Sequence, residues 1–424
     1  MRKWGKTAVA AILAAVVLQG SVPSQAANAA ATATILLDDV PLAFDSPPII
    51  ENGVTLVPFR TIGEALGIGV KWESSSNTVT AAGTKDGKAV TVKLQVGSKT
   101  AVVNGQKVNL PAAAAMRSNR VLIPLSFFST QFGATVGWKQ ETSTVTIVSP
   151  QKEMHLRAFY ALQSFKEKDL IDSMNSVAFG WSRIDRDGKF TLTGAEYRIP
   201  ESSGETTAQS LIDDAGTNGI KPYLMVYSVD GQGELTKMLG SETLRADSIE
   251  GIAAAVTDYQ FGGVVLDFEG LGFKLDKQEQ QKLLNNYVKQ LKAALPADTA
   301  LSIAVHASNS AYLGYDYKTL ATIVDDLILM AYKYNPAGIG SQVPEPNSKV
   351  NEAIEMTLKA GVPANKLLLG IDMSAEKPDS IDDKLGLVKR NGLKGAAFWR
   401  LGLFRQYTDG MEAAVSASAV KEKS

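Results

Sequence analysis

The sequence predicts an α/β protein: a (β/α)8 TIM barrel preceded by a smaller, duplicated α+β domain. Three observations carry that expectation. Residues between Ala33 and Ser149 repeat at a spacing of 66. From Met154 to about Val420, eight short apolar runs alternate with segments of helical period. The fourth run, inside FGGVVLDFEGLG (Phe261–Gly272), closes on two carboxylates, Asp267 and Glu269.

The chain has 424 residues, enough for two or three domains. Apolar content of 45% and charged content of 21% are those of globular protein. A net charge of −1 with no dense basic run past the first residues excludes the electrostatic footprint of a nucleic-acid binder. Met1–Ala26 reads as a secretory signal peptide. Arg2, Lys3 and Lys6 are followed by the apolar run Thr7–Leu18, too short to span a membrane comfortably. Ser24-Gln25-Ala26 and Ala27-Asn28-Ala29 are small-residue cleavage sites. No second hydrophobic span follows, so the expected location is secreted, extracellular or cell-wall associated, with no membrane span after cleavage. Cysteine is absent and the histidines are only His155 and His306. Disulfides, thiolate chemistry and histidine-rich metal sites are therefore not expected, nor is a cofactor.

The first domain, residues 33–149, is a duplication. Pro58 matches Pro124, Gly67 matches Gly133, Val70 matches Val136 and Trp72 matches Trp138. Thr78-Val79-Thr80 matches Thr144-Val145-Thr146. In each copy a β run (Val54–Val57, Val121–Ile123) meets a proline. A helix follows, Phe59–Leu66 or Leu125–Phe132, and ends at glycine. Asn104-Gly105 predicts a hairpin. Trp72 and Trp138 read either as sugar platforms or, because they recur at equivalent positions, as core anchors of each repeat.

A polar linker, residues 150–153, leads into the barrel at residues 154–420. The expected strands are Leu156–Ala161, Ser176–Trp181, Lys221–Tyr227, Gly263–Glu269, Leu301–His306, Asp326–Tyr332, Lys366–Asp372 and Gly395–Trp399. The clearest helix is Gln278–Leu295, with Leu284, Tyr287, Val288, Leu291 and Leu295 on one face, Asp276 as its cap and Pro296 as its stop. Asn351–Ala360 ends at Gly361 in the same way. Eight strands and crossovers at this length fit a barrel, whose active site lies at the C-terminal strand ends.

Side chains at i and i+2 of a strand share a face, so Asp267 and Glu269 project together from positions about 6.6 Å apart. At about 5 Å and an effective dielectric near 20 their repulsion is ~3 kcal/mol, roughly two pKa units. That is one route to a carboxylic acid still protonated near neutral pH. By itself D-x-E at a strand end is common and need mean nothing.

Two resemblances follow from these motifs. The P-(F/L)…G…V-x-W…T-V-T pattern of the first domain resembles the N-terminal, or stalk, domain of copper amine oxidases, which implies a spacer or cell-wall contact rather than a copper site. GGVVLDFE resembles the glycoside hydrolase family 18 signature, roughly D-G-x-x-x-D-x-E, through Gly263, Asp267 and Glu269. YDYKTLATIVDDLILMAY at Tyr315–Tyr332, VPANKLLLGI at Val362–Ile371 and GAAFW at Gly395–Trp399 resemble later motifs of that family, closest to its spore and cell-wall branch. The resemblance implies a secreted glycosidase cleaving β-1,4-linked N-acetylglucosamine in peptidoglycan or chitin. Glu269 would be the general acid. The substrate's own 2-acetamido group would attack, with Asp267 orienting it and Tyr332 holding its carbonyl. Trp399 would floor the sugar.

Tyr160, Trp181 and Tyr227, at strand ends, are expected either to line the cleft or to pack. His306 is expected to be a hydrogen-bonded bystander, and Asp325 and Asp326 to cap the start of strand six. Two departures stand out. Gly262 replaces a family aspartate that supports the pair, and Lys333 replaces an acidic residue after Tyr332. They leave open a non-catalytic glycan-binding or spore-envelope protein on the same barrel.

Overall fold

In the computed structural model the described residues are 33–161, 164–273, 275–336, 338, 340, 342–405 and 410–423. The expected signal segment Met1–Ala26 lies outside them. Eight parallel strands close into a barrel: β1 (Lys152–Tyr160), β2 (Ser176–Ile184), β3 (Lys221–Val229), β4 (Gly263–Glu269), β5 (Ala300–His306), β6 (Asp326–Met330), β7 (Leu367–Asp372) and β8 (Gly395–Trp399). β1 pairs in parallel with both β2 and β8, which completes the ring. All eight runs expected from the sequence are strands. Two bounds differ in a telling way. β1 begins at Lys152, inside the expected linker, because Lys152–Met154 pairs with the C-terminal strand Ala419–Lys421. β6 stops at Met330, so Tyr332 stands beyond the strand on the rim.

The helices cover the outside of this ring. Helix Lys277–Ala294 starts where Asp276 accepts the Glu279 backbone N–H, and buries Leu284, Tyr287, Val288 and Leu291. Helix Asn347–Lys359 ends before Gly361, whose φ of +101° suits glycine.

Alternation along the strands divides two cores. Val264, Leu266 and Phe268 of β4 face the helices. Val265 joins Phe159, Met225, Ala304, Ile328 and Met330 in a separate core inside the barrel. The floor of the barrel is polar. Arg157 of β1, wholly buried, donates to both carboxylate oxygens of Asp326 on β6 at 2.9 and 3.1 Å, and to Ser176 and Ser302. Its guanidinium lies 4.2 Å from the Tyr223 ring centroid. The Tyr223 ring occupies the space a Cβ at Gly263 would need, which accounts for the glycine of the signature. Asp326 was expected to cap strand six. Instead it is the buried counter-ion of Arg157 and of Lys394, 2.6 Å away.

The first domain has its own core, including Ile62, Val92, Ile123 and Phe128. Its two copies meet where Val54–Pro58 pairs antiparallel with Arg120–Pro124. The duplication extends to register: Trp72 faces Val79 and Trp138 faces Val145, 66 residues apart in both members. Asn104 and Gly105, both at positive φ, turn the expected hairpin. The two tryptophans are not equivalent in burial. Trp72 packs partly on the core, whereas Trp138 is 48% exposed and anchors nothing.

Candidate active site

The site sits at the C-terminal mouth of the barrel. On β4, Gly263, Val265, Asp267 and Glu269 share the inward face, so the two carboxyls stand in line above Val265. Asp267 is 5% exposed, and the Glu269 side chain 21%. Directly beneath them the barrel is filled mainly by apolar side chains, Val265, Met225, Ala304, Ile328 and Met330 among them. Burial therefore pushes both carboxyls above the ordinary carboxylate range. For Asp267 the neighbouring Glu269 charge adds to it, and the Lys333 ammonium draws both back down. Two close carboxyls in such a place cannot both ionise freely, so the pair retains a proton to higher pH than either would alone.

Gly262 does not bear on this pair. It lies at the entrance of β4, where its N–H donates to Pro222. Five residues of strand, about 16 Å, separate it from Asp267. The expectation that its missing carboxylate weakens the pair is thus corrected by position. Lys333 does bear on it. Its backbone adopts φ +66°, and its N–H and that of Tyr334 donate to the two oxygens of buried Glu345 at 2.8 and 3.0 Å. Glu345 in turn donates its N–H to Glu376, which Ser380 and Lys384 hold. This clamp fixes the segment after β6 and with it Tyr332. The Tyr332 phenol is driven well above its usual pKa by burial, then by the Asp267 and Glu269 charges. It therefore stays protonated and can donate a hydrogen bond.

Trp399 ends β8 opposite Asp372 of β7 and meets the Phe159 ring edge-on at 5.3 Å, forming the wall facing β4. Its peptide bond to Arg400 is cis. Tyr227 of β3, paired in register with Asp267, also faces inward. Tyr160 and Trp181 do not. They point into the helix-side layer, where Trp181 packs on Phe179 and Phe261 and Tyr160 meets Trp181 edge-on. The physical reason is strand parity: Trp181 lies on the helix side with Val177 and Phe179 while Ala178 faces inward, and Tyr160 lies outward next to inward Phe159. Both border a rim cavity of about 620 Å³ beneath the segment carrying Tyr197 and Arg198. They are thus wall residues of a neighbouring hollow, not part of the catalytic face.

Tyr197, Tyr312 and Phe273 at the mouth carry no signal in the sequence, and His306 takes a place other than the one expected. Tyr197 stacks on Tyr227 at 4.1 Å and 20°, and its phenol is raised by burial, Tyr227, Asp267 and Glu269 in that order. It comes from a loop with no periodic signal. Tyr312 stacks on His306 at 4.3 Å and 28° and extends to Phe273, 58% exposed on the lip after β4. His306, expected to be a hydrogen-bonded bystander, instead places Nε2 3.8 Å from Glu269 Oε2, buried and without a hydrogen-bond partner among the described residues. Its place at the end of β5 was the available signal. Among the described residues no group of three or more His, Asp or Glu side chains could hold a metal ion.

Comparison with known proteins matches two family models to this chain. Residues 169–377 match the family model Glycosyl hydrolases family 18, and residues 36–147 match Copper amine oxidase N-terminal domain. The chain is 29% identical over 190 residues to the "Putative sporulation-specific glycosylase YdhD" of Bacillus subtilis (strain 168), 42% of this chain and 44% of that protein. It is 26% identical over 140 residues to the "Cortical fragment-lytic enzyme" of the same organism, 31% of each. The chain thus spans less than half the length of these relatives. Among solved structures, the Bacillus cereus spore cortex-lytic enzyme SleL superposes with a TM-score of 0.50 at 16% identity, covering 65% of this chain and 77% of that one. A chitinase from Chromobacterium violaceum ATCC 12472 gives 0.50 at 19%, covering 62% and 98%. At such identities the likeness is one of fold.

Proposed function

We propose that this chain, which carries a glycosyl hydrolase family 18 domain, is a secreted glycosidase that cleaves β-1,4-linked N-acetylglucosamine in peptidoglycan or chitin. The observation that carries the reading is the buried Asp267–Glu269 pair on the inward face of β4, raised above the usual carboxylate range and faced by Tyr332 and Trp399. Glu269, the more exposed of the two, gives its proton to the glycosidic oxygen. The 2-acetamido group of the substrate attacks the anomeric carbon from within the sugar. Asp267 orients that group and balances the positive charge it gains. Protonated Tyr332 donates to the acetamido oxygen, and Trp399 carries the apolar face of the ring. Glu269 then takes a proton from the water that opens the intermediate.

The test is release of reducing ends from peptidoglycan and from chitin oligomers, beside a Glu269→Gln control. Loss of the acid costs about 10²–10⁴ in rate and leaves glycan binding in place. Parent and Glu269→Gln protein releasing ends equally would refute the assignment. Lys333 favours a second reading, a glycan-binding protein without turnover, since its charge draws both carboxyls down. Binding of both polymers with no reducing ends from either would establish that reading instead. The stalk domain acts as a spacer or cell-wall contact. Export through Met1–Ala26 predicts that secreted material begins after Ala26 or Ala29. Intact Met1 on membrane-embedded protein would overturn it.

A further inference from the structure

We propose that His306 is a positioning residue for the acid: its Nε2–H stands across a gap from Glu269 and closes on that carboxylate only as the proton leaves. This rests on the hydrolase reading above for its chemical meaning, but not for its geometry.

The gap is 3.8 Å, too long for a hydrogen bond, and Nε2 is buried with no other partner among the described residues. A shift of about 1 Å would bring it into the range of a charge-assisted bond. Two rings bracket the imidazole, and a third tyrosine fixes the backbone that carries it. Tyr312 stacks on its face, Tyr315 meets it edge-on at 5.9 Å, and the Tyr317 hydroxyl donates to the His306 backbone oxygen at 2.7 Å. Tyr315 also donates to the Phe268 backbone oxygen at 2.7 Å, so the ring that flanks His306 ties directly to the residue before Glu269. The titratable groups around the imidazole are therefore Glu269 with its partner Asp267 on β4, Lys333 beyond β6, and Tyr312, Tyr315 and Tyr317 after β5.

The state of the ring matters as much as its place. Burial and then the Lys333 charge push the His306 imidazolium down to about 4. A charged imidazolium would form a standing ion pair and keep Glu269 ionised before substrate arrived, removing the acid. A neutral N–H donor leaves the proton on Glu269 and adds a bond only to the carboxylate that forms in the transition state, which is where binding accelerates a step. In the first half-reaction the Glu269 O–H bond breaks, its proton passes to the glycosidic oxygen, and His306 keeps its own proton throughout. In the second, Glu269 recovers a proton from water and the His306 contact lengthens again.

Two variants separate this role from packing. His306→Phe keeps a flat ring between Tyr312 and Tyr315 but has no N–H, and His306→Gln restores a donor. With a bond to a charged group at stake, His306→Phe should lower kcat by about 10–100-fold with KM little changed. The basic limb of its pH–rate profile should move up, because a carboxylate without its donor holds the proton longer. His306→Gln should recover both. A second arm needs no turnover. The sequence contains two histidines, His155 and His306, so ring nitrogen NMR resolves each. The His306 Nε2 signal should shift as Glu269 ionises, at pH values where the ring is already neutral, and Glu269→Gln should abolish that shift. A His306 signal indifferent to Glu269, or a His306→Phe profile with an unmoved basic limb, would overturn the proposal. Activity with no NMR coupling sinks this inference and spares the hydrolase reading. Coupling in a chain that cleaves neither polymer does the reverse.

Discussion

Asp267→Asn should make the protein more stable at neutral pH while stopping its chemistry. The two carboxyls of β4 share one face, with spacings of about 5–6.6 Å. At an effective dielectric near 20 that repulsion is about 2.5–3 kcal/mol. Burial over the apolar barrel interior raises both groups further, and Lys333 offsets part of it. In the folded chain the pair binds a proton at pH values where the unfolded carboxyls, near 3.9 and 4.3, have lost theirs. Stability therefore falls as pH rises from the unfolded values through the raised folded ones. Asparagine removes one charge, the repulsion and that slope, for an expected gain of about 1–2 kcal/mol at pH 7.5 and almost none at pH 4. The kcat should drop by orders of magnitude because the acetamido cation has lost its counter-charge. The assay is urea unfolding of parent and variant at pH 4 and pH 7.5, with initial rates on a chitin oligomer. A variant less stable than the parent by more than about 1 kcal/mol at pH 7.5 would refute the reasoning, since it would mean that the native fold relies on this charge.

Four further outcomes are expected. Lys333→Met removes the cation that draws Glu269, Asp267 and His306 down, so the basic limb of the pH–rate profile should move to higher pH; a shift to lower pH would place the Lys333 charge elsewhere. Burial works to raise the Asp326 carboxyl, but Arg157 and Lys394 outweigh it and hold it low, so its contribution is present above the unfolded value near 3.9 and lost as pH falls. Asp326→Asn strands the buried Arg157 charge and should cost about 3–5 kcal/mol in chemical denaturation; a cost under 1 kcal/mol would show the pair to be dispensable. Because Trp181 and Tyr160 face the helices, Trp181→Ala should cost about 3–5 kcal/mol of stability and Tyr160→Phe should leave KM unchanged, with a large KM effect in Tyr160→Phe contradicting the assignment. Products seen by NMR in the first minutes should retain anomeric configuration, and polymers without the 2-acetamido group should resist cleavage; inversion, or equal cleavage of plain glucose polymers, would rule out the substrate-assisted route.

What the sequence by itself determined here is whatever local pattern and chain order control. Eight apolar runs separated by helical segments leave a parallel barrel as the economical solution, and the strand bounds of β4 and β8 follow directly from their glycines and apolar runs. Asp267 and Glu269 were bound to share a face because strand parity is a property of two neighbouring residues. The duplication was legible because each copy repeats its own pairing, Trp72 with Val79 and Trp138 with Val145. Tertiary structure decided what depends on distance between elements or on one irregular residue. Closure of the barrel decided which parity of β1 and β2 faces inward, and it put Tyr160 and Trp181 on the helix side. The left-handed turn at Lys333, clamped by Glu345 twelve residues on, brought a cation to the carboxyls. Closure of the ring set Arg157 against Asp326, 169 residues apart. His306 meets Glu269 only because β4 and β5 lie side by side and Tyr312 folds back over the ring. No periodicity within one strand carries information about a neighbour 37 residues away. Only the shared hydrogen-bond ladder and the packing of the mouth put those two side chains together.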